Sequence, residues 1–114
     1  MFRQMMLAAA TTLMLAGVAH ADPIEGNWTT ESGATAQIAT CGQGFCITLR
    51  TGEHAGKQIG QVSPSGEGRY AGKITDPAKD KTYSGKASIN GGSMKMSGCV
   101  LGGLICQSQT WTKM

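Results

Sequence analysis

The sequence predicts an all-β domain, a sandwich or barrel of short antiparallel strands, behind a secretory leader. Three observations predict it. Short β-rich runs alternate with turn signals from Asp22 to the C-terminus. Apolar side chains within those runs recur at every second position. No segment after Ala21 carries the 3.6-residue period of a helix, and no internal repeat is present.

The leader comes first. Arg3 is the one charge before Asp22, and an apolar run from Met5 to Val18 follows, broken only by Thr11 and Thr12. Ala19-His20-Ala21 then offers a small-x-small cleavage site before Asp22. A basic start, an apolar stretch and this exit form the pattern of a signal peptide over residues 1–21, helical in its apolar part and removed on export to the periplasm or beyond. The run is too short for a spanning helix, which needs roughly 20 residues. No Cys stands at the cleavage point, so no lipid or membrane anchor is expected after cleavage. The mature chain, residues 22–114, is short enough to be one domain. Its nine Lys and Arg face seven Asp and Glu, a net charge of +2 that is too weak to argue for nucleic acid.

The strands read as 24–31, 34–41, 45–51, 58–62, 68–75, 81–90, 93–101 and 104–113. Glu31-Ser32-Gly33, Gly42-Gln43-Gly44, Pro64-Ser65-Gly66, Asp76-Pro77, Asn90-Gly91-Gly92 and Gly102-Gly103 mark turns, each through Gly or Asn for positive φ or Pro for a preset φ. The fourth strand has the weakest pattern, and the polar, Gly-rich stretch 52–68 reads as a long loop. Alternation then assigns an inside. Ile24, Gly26 and Trp28 share one face; Phe45, Ile47 and Leu49 oppose Cys46, Thr48 and Arg50; Tyr70 and Ile74 oppose Arg69 and Lys73. Tyr83, Ala87 and Ile89 oppose Lys86, Met94, Met96 and Val100 oppose Lys95 and Cys99, and Ile105 and Trp111 oppose Cys106. One face is apolar and the other polar, as in an antiparallel sheet with one wet side.

Four cysteines in an exported chain imply two disulfides, and their spacing is not that of a zinc knuckle. All four fall on the outer face. A turn at Gln43-Gly44 sets Cys41 opposite Cys46, and a turn at Gly102-Gly103 sets Cys99 opposite Cys106, so two local staples are expected. The second pair falls at a hydrogen-bonded position, where side chains stand farther apart, which a wider turn would relieve.

These residues resemble a family. Asp22-Pro23-Ile24-Glu25-Gly26-Asn27-Trp28, the Cys41 to Cys46 element, Ile74-Thr75-Asp76-Pro77, Lys81-Thr82-Tyr83-Ser84-Gly85-Lys86, Gly98-Cys99-Val100 and Cys106 to Lys113 together resemble the exported bacterial domain of unknown function 2147. The resemblance implies a lipocalin-like fold, a small antiparallel up-and-down barrel of seven or eight strands. Gly26-x-Trp28 and the basic Lys113 after the last strand resemble the lipocalin pattern in which that basic residue packs on the Trp. Family members tend to carry Gly before the Lys-Thr-Tyr element, where this chain has Asp80. The resemblance implies no particular activity.

For function, the residues favour a non-catalytic binding module. Trp28, Tyr70, Tyr83, Met94, Met96 and Trp111 are candidates to line a pocket for a small hydrophobic ligand, and Gln107 and Gln109 share the inward face with Trp111 as candidate polar contacts. The competing expectation is that these side chains simply fill a small barrel. A second class of function is a secreted protein partner, such as a hydrolase, met through the 52–68 loop. An enzyme is not expected: His54 is the lone mature His, no G-x-S-x-G element occurs, and paired cysteines leave no thiolate. No metal or other cofactor is implied, since Met94, Met96 and a remote His54 do not make a soft-metal site.

Overall fold

Each strand pairs with the next in the chain, and the last pairs back to the first. The computed structural model describes residues 22–114; the leader assigned to residues 1–21 lies outside them. The strands are β1 (Gly26–Thr29), β2 (Thr35–Cys41), β3 (Gly44–Leu49), β4 (Gln58–Gly66), β5 (Arg69–Asp76), β6 (Lys81–Asn90), β7 (Ser93–Val100) and β8 (Ile105–Lys113), with one 3-10 turn at Leu101–Gly103. All neighbours are antiparallel and the sheet closes through β1 and β8. The closure is short: β1 and β8 pair at Trp28↔Lys113 and Thr29↔Thr112, and the rest of β8 has β7 as its strand partner.

The alternation places the core as expected. Ile24, Trp28, Ile38, Ile47 and Met94 are fully buried, and Phe45, Leu49, Tyr70, Met96 and Trp111 join them in one cluster. β1 is shorter than the expected 24–31, running from Gly26 to Thr29, and β4 is longer than the expected 58–62. Residues 58–66 form β4, paired to β3 on one side and β5 on the other, so the 52–68 loop shrinks to residues 50–57. Ile59 and Val62, its two large apolar residues, point inward and are buried. Pro64, expected in a turn, lies within β4 beside a register shift, a place where its missing N–H costs no ladder bond.

Both staples form as expected, Cys41–Cys46 and Cys99–Cys106. The β2–β3 register differs. The turn is Gly42-Gln43, with Gly42 at φ 62°, so Cys41 lies opposite Gly44 and Cys46 opposite Ala39. The slip is two residues. A slip of two keeps every side chain on its face, whereas a slip of one would have reversed them all. The cysteines are therefore diagonal neighbours, with Cα atoms 5.7 Å apart. In the last hairpin Cys99 does face Cys106, and Val100 faces Ile105. The connection is wider than the expected Gly-Gly turn: residues 101–104 make a 3-10 turn, and Leu104 N–H donates to the Leu101 carbonyl at 3.2 Å. The Cys99 and Cys106 Cα atoms are 4.0 Å apart, closer than the 5.7 Å of the first pair.

Candidate functional site

The barrel has two unlike ends. Two-residue turns at 42–43, 67–68 and 91–92 shut one of them. Across its floor runs the segment Asp22–Glu25, held by specific bonds. The Trp28 indole Nε1–H donates to the Ile24 carbonyl at 2.9 Å. The Tyr70 hydroxyl donates to the Asp22 carboxylate, which also accepts the Ile24 N–H at 3.2 Å. Burial, and then the neighbouring Asp22 carboxylate, push the Tyr70 phenol well above its ordinary value, because both oppose a phenolate there. Lys113 closes the floor from the side. Its ammonium donates to the Pro23 and Glu25 carbonyls at 3.0 and 2.7 Å and lies 4.9 Å from the Trp28 ring. That contact is a cation–π pair. It also explains Gly26. The residue has φ 127°, and a Cβ there would stand 3.2 Å from Lys113 Cε.

The other end carries the longer connections at 30–34, 50–57, 77–80 and 101–104. Between them opens a cavity of about 1150 Å³. The expectation that this small barrel is filled throughout holds for its floor and fails above it. One wall carries a row of glycines. Gly72 pairs with Gly85, and Gly85 with Gly98, so three adjacent strands have no inward side chain at one level. A Cβ on Gly72 would lie 2.0 Å from the Gln61 carbonyl oxygen, and one on Gly85 3.2 Å from Ile74 Cβ. The glycines let the wall bend sharply where β4 to β7 turn the corner of the barrel. Above them Ile74 and Tyr83 fold over the wall, and a Cβ on Gly98 would meet both.

The eight side chains proposed from sequence divide between the two ends. Tyr83, Met96, Gln107, Gln109 and Trp111 line the cavity. Trp28, Tyr70 and Met94 do not; they are packed into the floor, where they hold the fold rather than a ligand. Alternation shows which residues point inward but not at which level of the barrel they stand, and the level depends on strand tilt and register. Gln109 is a lining group with a fixed orientation, since its Oε1 accepts the Trp111 indole N–H at 2.9 Å. Gln107 has no such tether and stands exposed near the mouth.

Alternation puts Leu49, Ile74, Val100 and Ile105 on the inner face without marking them as lining, and Ile59 has no assignment from sequence. Leu49, Ile59, Ile74, Val100 and Ile105 give the cavity its apolar walls. Glu31, Glu53, His54, Asp76, Lys79 and Lys81 ring the mouth with charges of both signs. Glu31 is tied down, its carboxylate accepting the Thr110 N–H at 2.9 Å. The charged residues come from three separate loops, and only closure of the barrel brings them together. Chemically the arrangement is an apolar well with a polar rim. It suits a molecule with an apolar body and one polar end.

Comparison with known proteins gives one match. The family model described as "Uncharacterized protein conserved in bacteria (DUF2147)" matches residues 48–113, from the end of β3 through β8. The Gly26-x-Trp28 element and the first staple lie before the matched segment. No curated protein and no solved structure matches the chain. The matched segment is more than half of the sequence and carries the glycine row, the second staple and most of the cavity wall, and on that ground the chain belongs to the DUF2147 family of bacterial proteins.

Proposed function

We propose that this protein is a non-catalytic binding module that takes a small, largely hydrophobic molecule into the open end of its barrel. The observation that carries the reading is the cavity itself: about 1150 Å³ of open space above a fully packed floor. Ligand sites are concave, mainly apolar and equipped with a few placed polar groups. Here Leu49, Ile59, Met96 and Trp111 supply the apolar surface, Gln109 is held in place by Trp111, and Gln107 and the rim lysines stand where a polar end would emerge. Two disulfides in a bacterial family support an oxidising compartment outside the cytoplasm as the place of action.

The test uses the anionic naphthalene dye ANS as probe, with tryptophan fluorescence as readout, since Trp111 lines the cavity and Trp28 does not. The wild-type protein is expected to bind one dye with quenching of one tryptophan. Gln107→Trp places a large ring at the mouth from an exposed position, so it should weaken dye binding at least tenfold while leaving the unfolding midpoint unchanged. Native mass spectrometry of protein purified from its own source should show a small molecule that leaves on mild denaturation. Undiminished dye binding by Gln107→Trp would place the dye elsewhere and defeat the reading.

A further inference from the structure

The lysines look scattered in the sequence, but the barrel gathers them. Outward positions of β5, β6 and β7 carry Arg69, Lys73, Lys86 and Lys95, all exposed. Register sets them among hydroxyl and other small residues: Lys73 faces Ser84, Lys86 stands between Ala71 and Ser97, and Lys95 faces Ser88 and Thr110. No carboxylate occupies an outward position on these three strands. Asp22, Glu25, Glu31, Glu53, Glu67 and Asp80 lie in end segments or turns, and Asp76, the last residue of β5, lines the cavity. One flank is therefore cationic without internal compensation, although the net charge of residues 22–114 is only +2.

The same strand β7 leads from Lys95 into a second unusual feature. At the tip of the β7–β8 hairpin, Leu101, Leu104 and Ile105 are 67, 85 and 55% exposed. Leu101 is held at φ 54°, a conformation that disfavours a bulky side chain. The Cys99–Cys106 staple fixes the base of this tip. Three large apolar side chains presented to water on a stapled, strained turn, beside a cationic flank and at the rim of the cavity, need a partner that offers negative charge and an apolar layer at once.

We propose that this corner of the barrel is a docking surface for an anionic lipid bilayer. Headgroup phosphates meet Arg69, Lys73, Lys86 and Lys95 along the β5–β7 flank, which lies against the membrane, and the Leu101–Ile105 tip at the open end of that flank enters the edge of the acyl region. Apolar contact and attraction to anionic headgroups add in interfacial binding. The docking stands whether or not the cavity holds a ligand.

The experiment is flotation with vesicles of phosphatidylcholine alone and of equal parts phosphatidylcholine and phosphatidylglycerol. The protein should float with the anionic vesicles only, and added salt should release it, because exposed charges are screened. Each cation removed should cost about fivefold in affinity, so the Lys73→Gln, Lys86→Gln, Lys95→Gln triple variant should lose roughly a hundredfold. Leu101→Asn with Leu104→Ser, which leaves the charge unchanged, should also lose flotation; Asn tolerates the left-handed backbone at 101. Flotation is read without dye and ANS binding without vesicles, so a failure of the cavity reading is seen separately. The proposal is overturned if the wild-type protein stays unfloated, floats equally on phosphatidylcholine alone, or floats unchanged in the triple variant. Retention on a soluble polyanion such as heparin without flotation would overturn it in favour of a polyanion site.

Discussion

The two ends of the barrel are built from the same hairpins by opposite rules. At the closed end each turn has two residues, and Gly42, Gly68 and Gly91 supply the positive φ that tight turns require. Its floor residues are buried, and the polar groups of Trp28 and Tyr70 each have a partner. At the open end the connections lengthen, the wall is thinned by glycines, and the two non-glycine residues of positive φ among the described residues, Asp80 and Leu101, stand in its turns. Backbone strain collects where a structure does something other than hold itself together. The difference teaches that this small domain packs one end for stability and leaves the other open.

The largest test of that division is Trp28→Ala. Losing a fully buried indole, with its bond to Ile24 and its contact with Lys113, should cost about 3–5 kcal/mol. In a domain of this size each kcal/mol shifts the midpoint by about 4–8 °C, so the change is easily seen by calorimetry. Tyr83→Ala, at the half-buried open end, should cost about 1 kcal/mol or less. Equal losses for the two variants would break the comparison.

Much of this division was legible in the sequence, and the unread part has a common cause. Strict alternation at Phe45-x-Ile47-x-Leu49 and Met94-x-Met96 showed the inside without knowledge of the partners, and the Cys spacings showed both staples. Past residue 62, Ser63-Pro64-Ser65-Gly66 carries no strand signal of its own; its strand structure comes from pairing with β5. The turn at Gly42-Gln43 was misplaced because Gly42 and Gly44 both permit a hairpin, and alternation is blind to a slip of two. The glycine row is hidden because Gly72, Gly85 and Gly98 are far apart in the chain and align only once the register is set. Side-chain period reports the face of a strand; level, closure and voids are nonlocal.

The staples offer the next comparison, one at each end. Chain-entropy reasoning gives about 2 kcal/mol for each short loop closed. Cys41→Ser with Cys46→Ser, and Cys99→Ser with Cys106→Ser, should therefore lower stability by similar amounts in denaturant. Their effects on function should differ. The first pair lies at the closed end and should leave ANS binding unchanged once the protein is folded. The second frees the β7–β8 tip and should weaken both ANS binding and vesicle flotation. Two variants with the same binding loss would show that the ends are mechanically coupled.

Tyr70 gives a smaller effect with a distinctive pH dependence. Its pKa in the folded protein lies above the unfolded value of 10.0, raised by burial and by Asp22. Folding thus favours the protonated phenol. The stabilisation is complete below pH 10 and is lost as pH rises through the folded-state pKa. Tyr70→Phe should cost about 1 kcal/mol near neutrality, from the lost hydrogen bond to Asp22. The gap between wild type and variant should narrow as the pH of a urea titration climbs above 10. A gap that widens instead would mean the phenolate is accommodated at the closed end, contrary to its buried, carboxylate-lined setting.

The smallest expected effect probes the open end from the side of strain. Asp80 adopts φ 54° just before the Lys81-Thr82-Tyr83 element. Asp is among the few L-residues that visit this region, and its cost is less than the roughly 1–2 kcal/mol of most side chains. Asp80→Gly removes that cost but adds backbone freedom to the unfolded chain, so the net gain should be about 0.5 kcal/mol, read as a rise of a few degrees in the unfolding midpoint. Asp80→Val, which cannot relieve the backbone, should lose 1 kcal/mol or more. The same exchange at a closed-end turn, Gly91→Asp, runs the comparison backwards and should destabilise, since Gly91 sits at φ 63° with no neighbour near its Cβ position. If Asp80→Gly stabilises and also weakens ANS binding, the carboxylate in the β5–β6 turn has a second reason to be there, and strain in that turn is the cost of keeping it.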